Sequence, residues 1–137
     1  MKISKKAEYA LRAVLAMSRA APGTVFSIQS LALEERIPLK FLEQILLILR
    51  KGAVLNSRRG AGGGYHMAKP ANRITLGEIL ELVDGPLEVL APGSAVTPGL
   101  LTVFTELKTQ INDWLTSTTL ADVLQREQGR GNVSFDI

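Results

Sequence analysis

One stretch, FLEQILLILRKGAVLNSRRGAGGGYHMAKP over residues 41–70, leaves few folds open to this chain. Its Leu42, Ile45, Leu46 and Leu49 recur at i, i+3, i+4 and i+7, the apolar stripe of a helix that buries one side. Arg50 and Lys51 close the pattern where cations meet the negative end of the helix dipole, and Gly52 reads as its stop. Val54-Leu55-Asn56-Ser57 then reads as a short strand and Gly64-Tyr65-His66-Met67-Ala68 as its partner. Between them, Arg58-Arg59-Gly60-Ala61-Gly62-Gly63 makes a basic tip whose glycines permit tight turning and let the backbone come close to another molecule. Helix, strand, basic glycine loop, strand is the order of a recognition helix followed by a wing.

Other uses of clustered glycines fail on spacing. A phosphate-binding loop needs Gly-Lys-Ser/Thr after four spacer residues, and the chain has no such run. The dinucleotide fingerprint needs a third glycine where Tyr65 stands and a helix beyond it, and the stretch offers neither. A structural reading remains, in which the glycines only close a hairpin and Arg58 and Arg59 are solvated charge. Charge along the chain favours a binding role: residues 1–69 carry twelve Lys/Arg against four Asp/Glu, a balance of +8, whereas residues 70–137 carry four against nine, −5. A basic half that holds a helix and a wing suits a polyanion, whose phosphates reward clustered cations through counterion release.

At 137 residues and 46% hydrophobic content, the chain has the length of one domain with an appendage and enough apolar material for a core. No cysteine is present, which removes disulfides, thiolate nucleophiles, thiolate-held zinc and cysteine-held iron–sulfur clusters. His66 is the single histidine, and strand packing is its expected role. The longest apolar run in the first helix, residues 13–17, is far shorter than the ~20 residues a bilayer span needs. Glu8 and Arg12 interrupt any signal-peptide core. The expectation is a cytoplasmic protein without membrane contact, and, with no visible acid–base pair or nucleophile, not an enzyme.

Ahead of the central stretch, residues 1–3 read as a short strand or arm, and Ser4 as the N-cap of a helix over 5–20 with Ala7, Ala10, Leu11, Val14 and Leu15 on one face. Pro22-Gly23 ends that helix, and Val25-Phe26 adds an edge to the wing sheet. A second helix over 28–36 after Ser27, with the short link Ile37-Pro38, completes a helix-turn-helix pattern. Beyond Pro70, Thr75-Leu76-Gly77-Glu78 is a capping box for a helix to Asp84 with Ile79, Leu82 and Val83 inward. Residues 86–97 have no period and read as a hinge loop. In 98–117, Leu100, Phe104, Leu107, Ile111 and Trp114 repeat at spacings of 4, 3, 4 and 3, a heptad seam. Such a seam serves either packing against its own domain or a second copy of the chain; Leu101, Val103 and Leu115 widen the stripe beyond what one contact would cover, which favours the second copy. Thr119 with Asp122 caps a short helix over 120–128, and 129–137 reads as a flexible tail. The plan is a mostly α chain with a small β-wing: a winged helix-turn-helix domain over 1–85, the hinge over 86–97, a dimerisation helix with a short terminal helix over 98–128, and the tail.

These residues resemble a known family. The opening MKISKKAEYALRAVL, the run PLKFLEQILLILRKGAVLNSRRGAGGGYHMAKP, and the segments ITLGEILELVDGPL and STTLADVL look like the Rrf2 family of bacterial winged-helix regulators, closely over 1–88 and loosely over 97–124. Leu-Glu-Gln combined with Gly-Gly-Gly-Tyr is the specific part of the likeness. The resemblance implies a homodimeric, sequence-specific transcriptional regulator, a repressor, in the bacterial cytoplasm. It implies long helices paired across a two-fold axis, the third helix in the major groove of double-stranded DNA and the wing tip in the adjacent minor groove. Matched position by position, Lys40, Glu43 and Gln44 stand where the family reads bases and Arg59 where its wing arginine enters the minor groove. Gln pairs with adenine, Glu accepts from cytosine N4, and a narrow minor groove attracts arginine. Lys5, Lys51 and Arg58 are assigned to phosphates, with Gly60, Gly62, Gly63 and Tyr65 completing the wing.

Two departures from the family pattern matter. Many members carry three cysteines in the stretch matching 88–108, where they hold a cluster; this chain has none and looks like the clusterless branch, which includes the cysteine-metabolism repressor. No cofactor is then expected, and a regulatory protein or a small effector near residues 90–96 would carry any signal. Leu47-Ile48 also stand where the family is usually polar. Lys40, Gln44, Leu47 and Lys51 share one face, so Leu47 meets the DNA, within reach of a thymine methyl, or lies uncovered. The competing function is a winged-helix protein-interaction module with little DNA affinity, in which Leu47, Ile48 and the long helix serve partner proteins.

Overall fold

Ser4 starts the first helix as expected, its hydroxyl accepting the Ala7 N–H at 3.0 Å. The same serine donates to the Asp84 carboxylate from both its hydroxyl and its backbone N–H, tying the start of this helix to the end of a later one. The computed structural model describes residues 2–134, the last five by backbone alone. Its elements are α1 (Lys5–Ser18), α2 (Ile28–Glu35), α3 (Leu39–Lys51), β1 (Leu55–Arg58), β2 (Gly64–Met67), a 3-10 turn (Ala71–Arg73), α4 (Leu76–Asp84), α5 (Pro98–Ser117) and α6 (Leu120–Ser134). Lys2 and Ile3 take no strand; Met1, the first residue of the expected arm, lies outside the described residues.

The core forms where α1, α3 and α4 converge. Ala10, Ala13, Val14 and Met17 of α1, Leu31 of α2, Leu42, Ile45, Leu46 and Leu49 of α3, and Ile79 of α4 form one buried cluster. Small side chains on α1 let α3 lie close, so the full leucine stripe leaves water, at roughly 1.5–3 kcal/mol for each large side chain. Leu82 and Val83 pack on the rim of the cluster. Between α2 and α3 the chain reverses through Arg36 at φ 54°, a left-handed residue that is not glycine. Ile37 N–H closes this turn on Ala32 O at 3.0 Å, and the Arg12 guanidinium donates to Glu35 O from α1.

α3 stops at Gly52 as expected, though not through the glycine's own conformation. The left-handed residue is Ala53 at φ 62°, with Ala53 N–H on Arg50 O and Val54 N–H on Leu49 O, the paired bonds of a Schellman ending. Gly52 sits at φ −82° and is small for another reason: a Cβ there would lie 2.5 Å from a Leu82 methyl. It lets α4 pack against the end of α3.

β1 and β2 pair antiparallel with Leu55 opposite Met67, Asn56 opposite His66, Ser57 opposite Tyr65 and Arg58 opposite Gly64. Val54 precedes the strand rather than joining it, though its carbonyl accepts Ala68 N–H at 2.9 Å. The expected third edge is a single bridge: Phe26 N–H to Tyr65 O at 2.8 Å and Tyr65 N–H to Phe26 O at 2.9 Å. A Cβ on Gly64 would fall 2.1 Å from Phe26 O, so glycine is required for that close approach.

Downstream, Thr75 caps α4 by accepting Glu78 N–H at 3.1 Å, but Glu78 does not complete the expected box. Its carboxylate pairs with Lys69 Nζ at 2.6 Å instead, linking the end of the wing to α4. The box at α6 is complete: Thr119 N–H donates to Asp122 at 2.9 Å and Asp122 N–H to the Thr119 hydroxyl at 3.1 Å. The Thr119 backbone N–H, then its hydroxyl, hold the Asp122 carboxyl below the ordinary carboxylate range. Residues 86–97 form neither helix nor strand.

The C-terminal part is less separate than expected. Leu76 N–H donates to Thr118 O and Leu120 N–H to Ile74 O, both at 2.9 Å, and Leu120 is buried in the same core as α1 and α3. An α5 that leaves the domain and an α6 that returns to it explain why the pattern at Thr119 resembled a new start. α6 also runs on to Ser134 rather than ending at Gln128, so the expected flexible tail is helical over 129–134; residues 135–137 lie outside the described residues.

Candidate nucleic-acid interface

At about 100° per residue, Lys40, Gln44, Leu47 and Lys51 fall on the line of α3 opposite its buried stripe, and all four are exposed. Glu43 and Arg50 flank this line on one side and are exposed as well. The pair Leu47-Ile48 divides: Leu47 stands 38% exposed at the centre of the face, while Ile48 turns to the other flank and is half-buried. The first turn of α3 is braced by α1. The ring of Phe41 lies 5.9 Å from that of Tyr9, and Lys5 and Arg12 sit 5.4 and 5.6 Å from the Tyr9 centroid. Lys5 also pairs with Glu8 at 3.5 Å, so part of its charge is already answered within α1.

Arg58 is the last residue of β1 rather than part of the tip. Beyond it the tip closes with Gly63 N–H on Gly60 O at 2.9 Å. Gly60 at φ 93° and Gly62 at φ 75° are the left-handed corners of the tip, and nothing lies within 4 Å of where their Cβ atoms would be. Backbone there is open to an approaching molecule. Gly63 has a different reason, since its Cβ would meet Arg58 O at 2.3 Å. Tyr65 is half-buried against the core, and its backbone holds Phe26. Arg59, with Arg36, Lys40, Arg50, Lys51 and Arg58, makes no ion pair among the described residues.

Sequence reasoning passed over Arg36 and Phe41. Arg36 occupies a left-handed turn where glycine or asparagine is the usual signal, and nothing in its neighbours marks it. Phe41 was given no role beside the apolar stripe; it is 45% exposed and reaches α1 through Tyr9.

α5, which packs on α4, has no buried residue. Leu100, Leu101, Val103, Leu107 and Trp114 are between 41% and 56% exposed, while Phe104 and Ile111 are half-buried. α5 meets the domain at Gly77 of α4, where a Cβ would lie 3.0 Å from the Thr116 methyl. An exposed apolar stripe of this kind is a candidate interaction surface.

A family model described as "Iron-dependent Transcriptional regulator", named Rrf2, matches residues 3–126. The chain belongs to the Rrf2 family of transcriptional regulators. It is 39% identical over 130 residues to a Mycobacterium tuberculosis protein assigned as an HTH-type transcriptional regulator, covering 90% of this chain and 81% of that one. It is 30% identical to the HTH-type transcriptional regulator IscR of Cereibacter sphaeroides, with 93% and 89% covered. Among solved structures, CymR, described as the global cysteine regulator of Bacillus subtilis, superposes with a TM-score of 0.81 at 27% identity, over 92% of this chain and 98% of that one. The winged-helix fold and a role as a DNA-binding regulator of transcription follow. No helix among the described residues is long and apolar enough to cross a membrane.

The family description invokes iron, and the donor set of this chain does not fit a thiolate-held centre. There is no cysteine in its 137 residues. Its one histidine lies on β2, and the described residues bring no three His, Cys, Asp or Glu together as metal ligands.

Proposed function

We propose that this Rrf2 regulator acts as a homodimeric repressor that reads its operator with α3 in the major groove and the wing in the adjacent minor groove. The observation that carries the reading is the line Lys40, Gln44, Leu47, Lys51 on the exposed face of α3, followed in the chain by the exposed Arg58 and Arg59, with no ion pair answering those cations among the described residues. Lys40, Glu43 and Gln44 near the start of α3 contact base edges. Arg59 enters the minor groove, with Gly60 and Gly62 admitting the backbone close to the sugar–phosphate chain. Lys51 and Arg58 contact phosphates; Lys5 contributes less, because Glu8 shares its charge.

The open apolar face of α5 supports pairing with a second copy, since two-fold symmetry lets one patch cover itself. The two reading heads are then held at a separation set by the paired rods. Such dimers read half-sites about one DNA turn apart or a multiple of it, and occupancy of a promoter by both heads excludes polymerase, which makes repression the expected output. The irregular stretch 86–97 beside α5 is the place for a small effector or a regulatory protein to act.

Electrophoretic mobility against genomic fragments tests the reading. A shift that survives competitor DNA and weakens in Arg59→Ala supports it. A shift lost to competitor for every fragment would assign the chain to protein interaction instead.

A further inference from the structure

We infer that Leu47 is a specificity-determining residue that reads the C5 methyl group of a pyrimidine in the major groove. The inference rests on the DNA-reading role of α3 proposed above and deepens it. Leu47 lies at the centre of the face opposite the buried stripe, with Lys40, Gln44 and Lys51 seven and three residues before it and four after it. At 38% exposure it is an apolar spot inside a ring of charged and amide groups. Ile48, which follows it, is half-buried to one side, and the other exposed apolar side chains of α3, Leu39 and Phe41, lie off the line of Lys40, Gln44 and Lys51, so the apolar contact along that line is a single branched side chain.

The surrounding charge selects the occupant. The cations Lys40 and Lys51 bring in phosphates on either side, and Gln44 offers an amide to a base edge. An isobutyl group held at base level between such contacts has one apolar feature of a B-DNA major groove to meet, the methyl of thymine. 5-Methylcytosine carries the same group at the same carbon.

The test uses the full-length protein and a fragment selected from random duplexes for tight binding. Each thymine in turn is replaced by deoxyuridine, which removes only the methyl. One position per half-site should weaken wild-type binding about fourfold, the equivalent of one buried methyl, and the same replacement should leave Leu47→Ala unchanged. At that position a C·G pair should bind more weakly than a 5-methyl-C·G pair in wild type, and equally in Leu47→Ala. This arm separates methyl reading from thymine reading. A deoxyuridine scan without a position that distinguishes wild type from Leu47→Ala would overturn the inference while leaving the DNA-reading role of α3 standing. Failure of wild type to select any duplex would overturn both. Circular dichroism melts of Leu47→Ala, expected to match wild type, exclude unfolding as the cause.

Discussion

Gly64→Ala probes the joint on which the wing is mounted. A Cβ at this residue would sit 2.1 Å from Phe26 O, far inside contact distance, and the backbone there holds φ 156°. To admit the methyl, the Phe26 segment must move and the two Phe26–Tyr65 hydrogen bonds, 2.8 and 2.9 Å, must open. Two backbone bonds at about 0.5–1.5 kcal/mol each, plus about 1–2 kcal/mol for an L side chain at a glycine φ, give a loss of about 2–5 kcal/mol. For a chain of this size that lowers Tm by roughly 6–15 °C. Gly62→Ala is the matched control: its φ of 75° is strained too, but nothing lies within 4 Å of its Cβ. It should lose only the strain, ~3–6 °C. The entropic gain from removing a glycine from the unfolded chain is common to both and cancels. Thermal melts by circular dichroism give the two shifts, and hydrogen exchange locates them. Protection at the Phe26 and Tyr65 amides should vanish in Gly64→Ala and persist in Gly62→Ala. Retained protection in Gly64→Ala, or a melt no lower than that of the control, would refute the claim that this glycine serves close approach.

Ala53→Gly should stabilise the protein by about 0.5–1 kcal/mol, because relief of the left-handed strain exceeds the glycine's extra unfolded entropy; urea titration that shows a loss would contradict the Schellman ending. Lys51→Ala should lower the slope of log K against log salt by about one unit if Lys51 meets a phosphate, measured by fluorescence anisotropy; an unchanged slope removes it from the interface. The Asp122 carboxyl is held below its ordinary range first by the Thr119 backbone N–H and then by its hydroxyl. A lowered folded-state pKa stabilises above the unfolded value near 4 and is lost as pH falls through the folded value. The Tm gap between wild type and Asp122→Asn should therefore hold steady from about pH 7 to 5 and close below about pH 4. A gap that keeps its size in acid would assign it to another cause.

The helix-and-wing order was legible because it depends on local signals. Leucine spacing marked the buried face of α3, and the glycine cluster marked the tip between β1 and β2. Contacts distant in sequence were legible only at the Phe26 edge of the wing. Gly52 does follow the last residue of α3 as expected, but nothing local shows that its close neighbour is Leu82, thirty residues on. Gly64 was read correctly as the start of the second wing strand, but nothing local shows that Phe26 is what excludes a side chain there. Arg36 and Ala53 adopt left-handed φ values without the residue types that announce them. The end of α6 misled for a similar reason: Gly129 and polar neighbours suggest fraying, but the helix runs on to Ser134. The seam on α5 was visible as a period, and the structure shows most of it exposed; its assignment to a second copy is the proposal.

The central claim is that α5 joins two copies and thereby presents two wings together. Since the chain has no cysteine, Ala61→Cys at the exposed wing tip gives one spin label per copy. Double electron–electron resonance on that variant should return a single narrow inter-label distance, sharpened by operator DNA and abolished when Trp114→Glu is added. Absence of any dipolar coupling in the labelled protein, or a distance that Trp114→Glu leaves untouched, would contradict it.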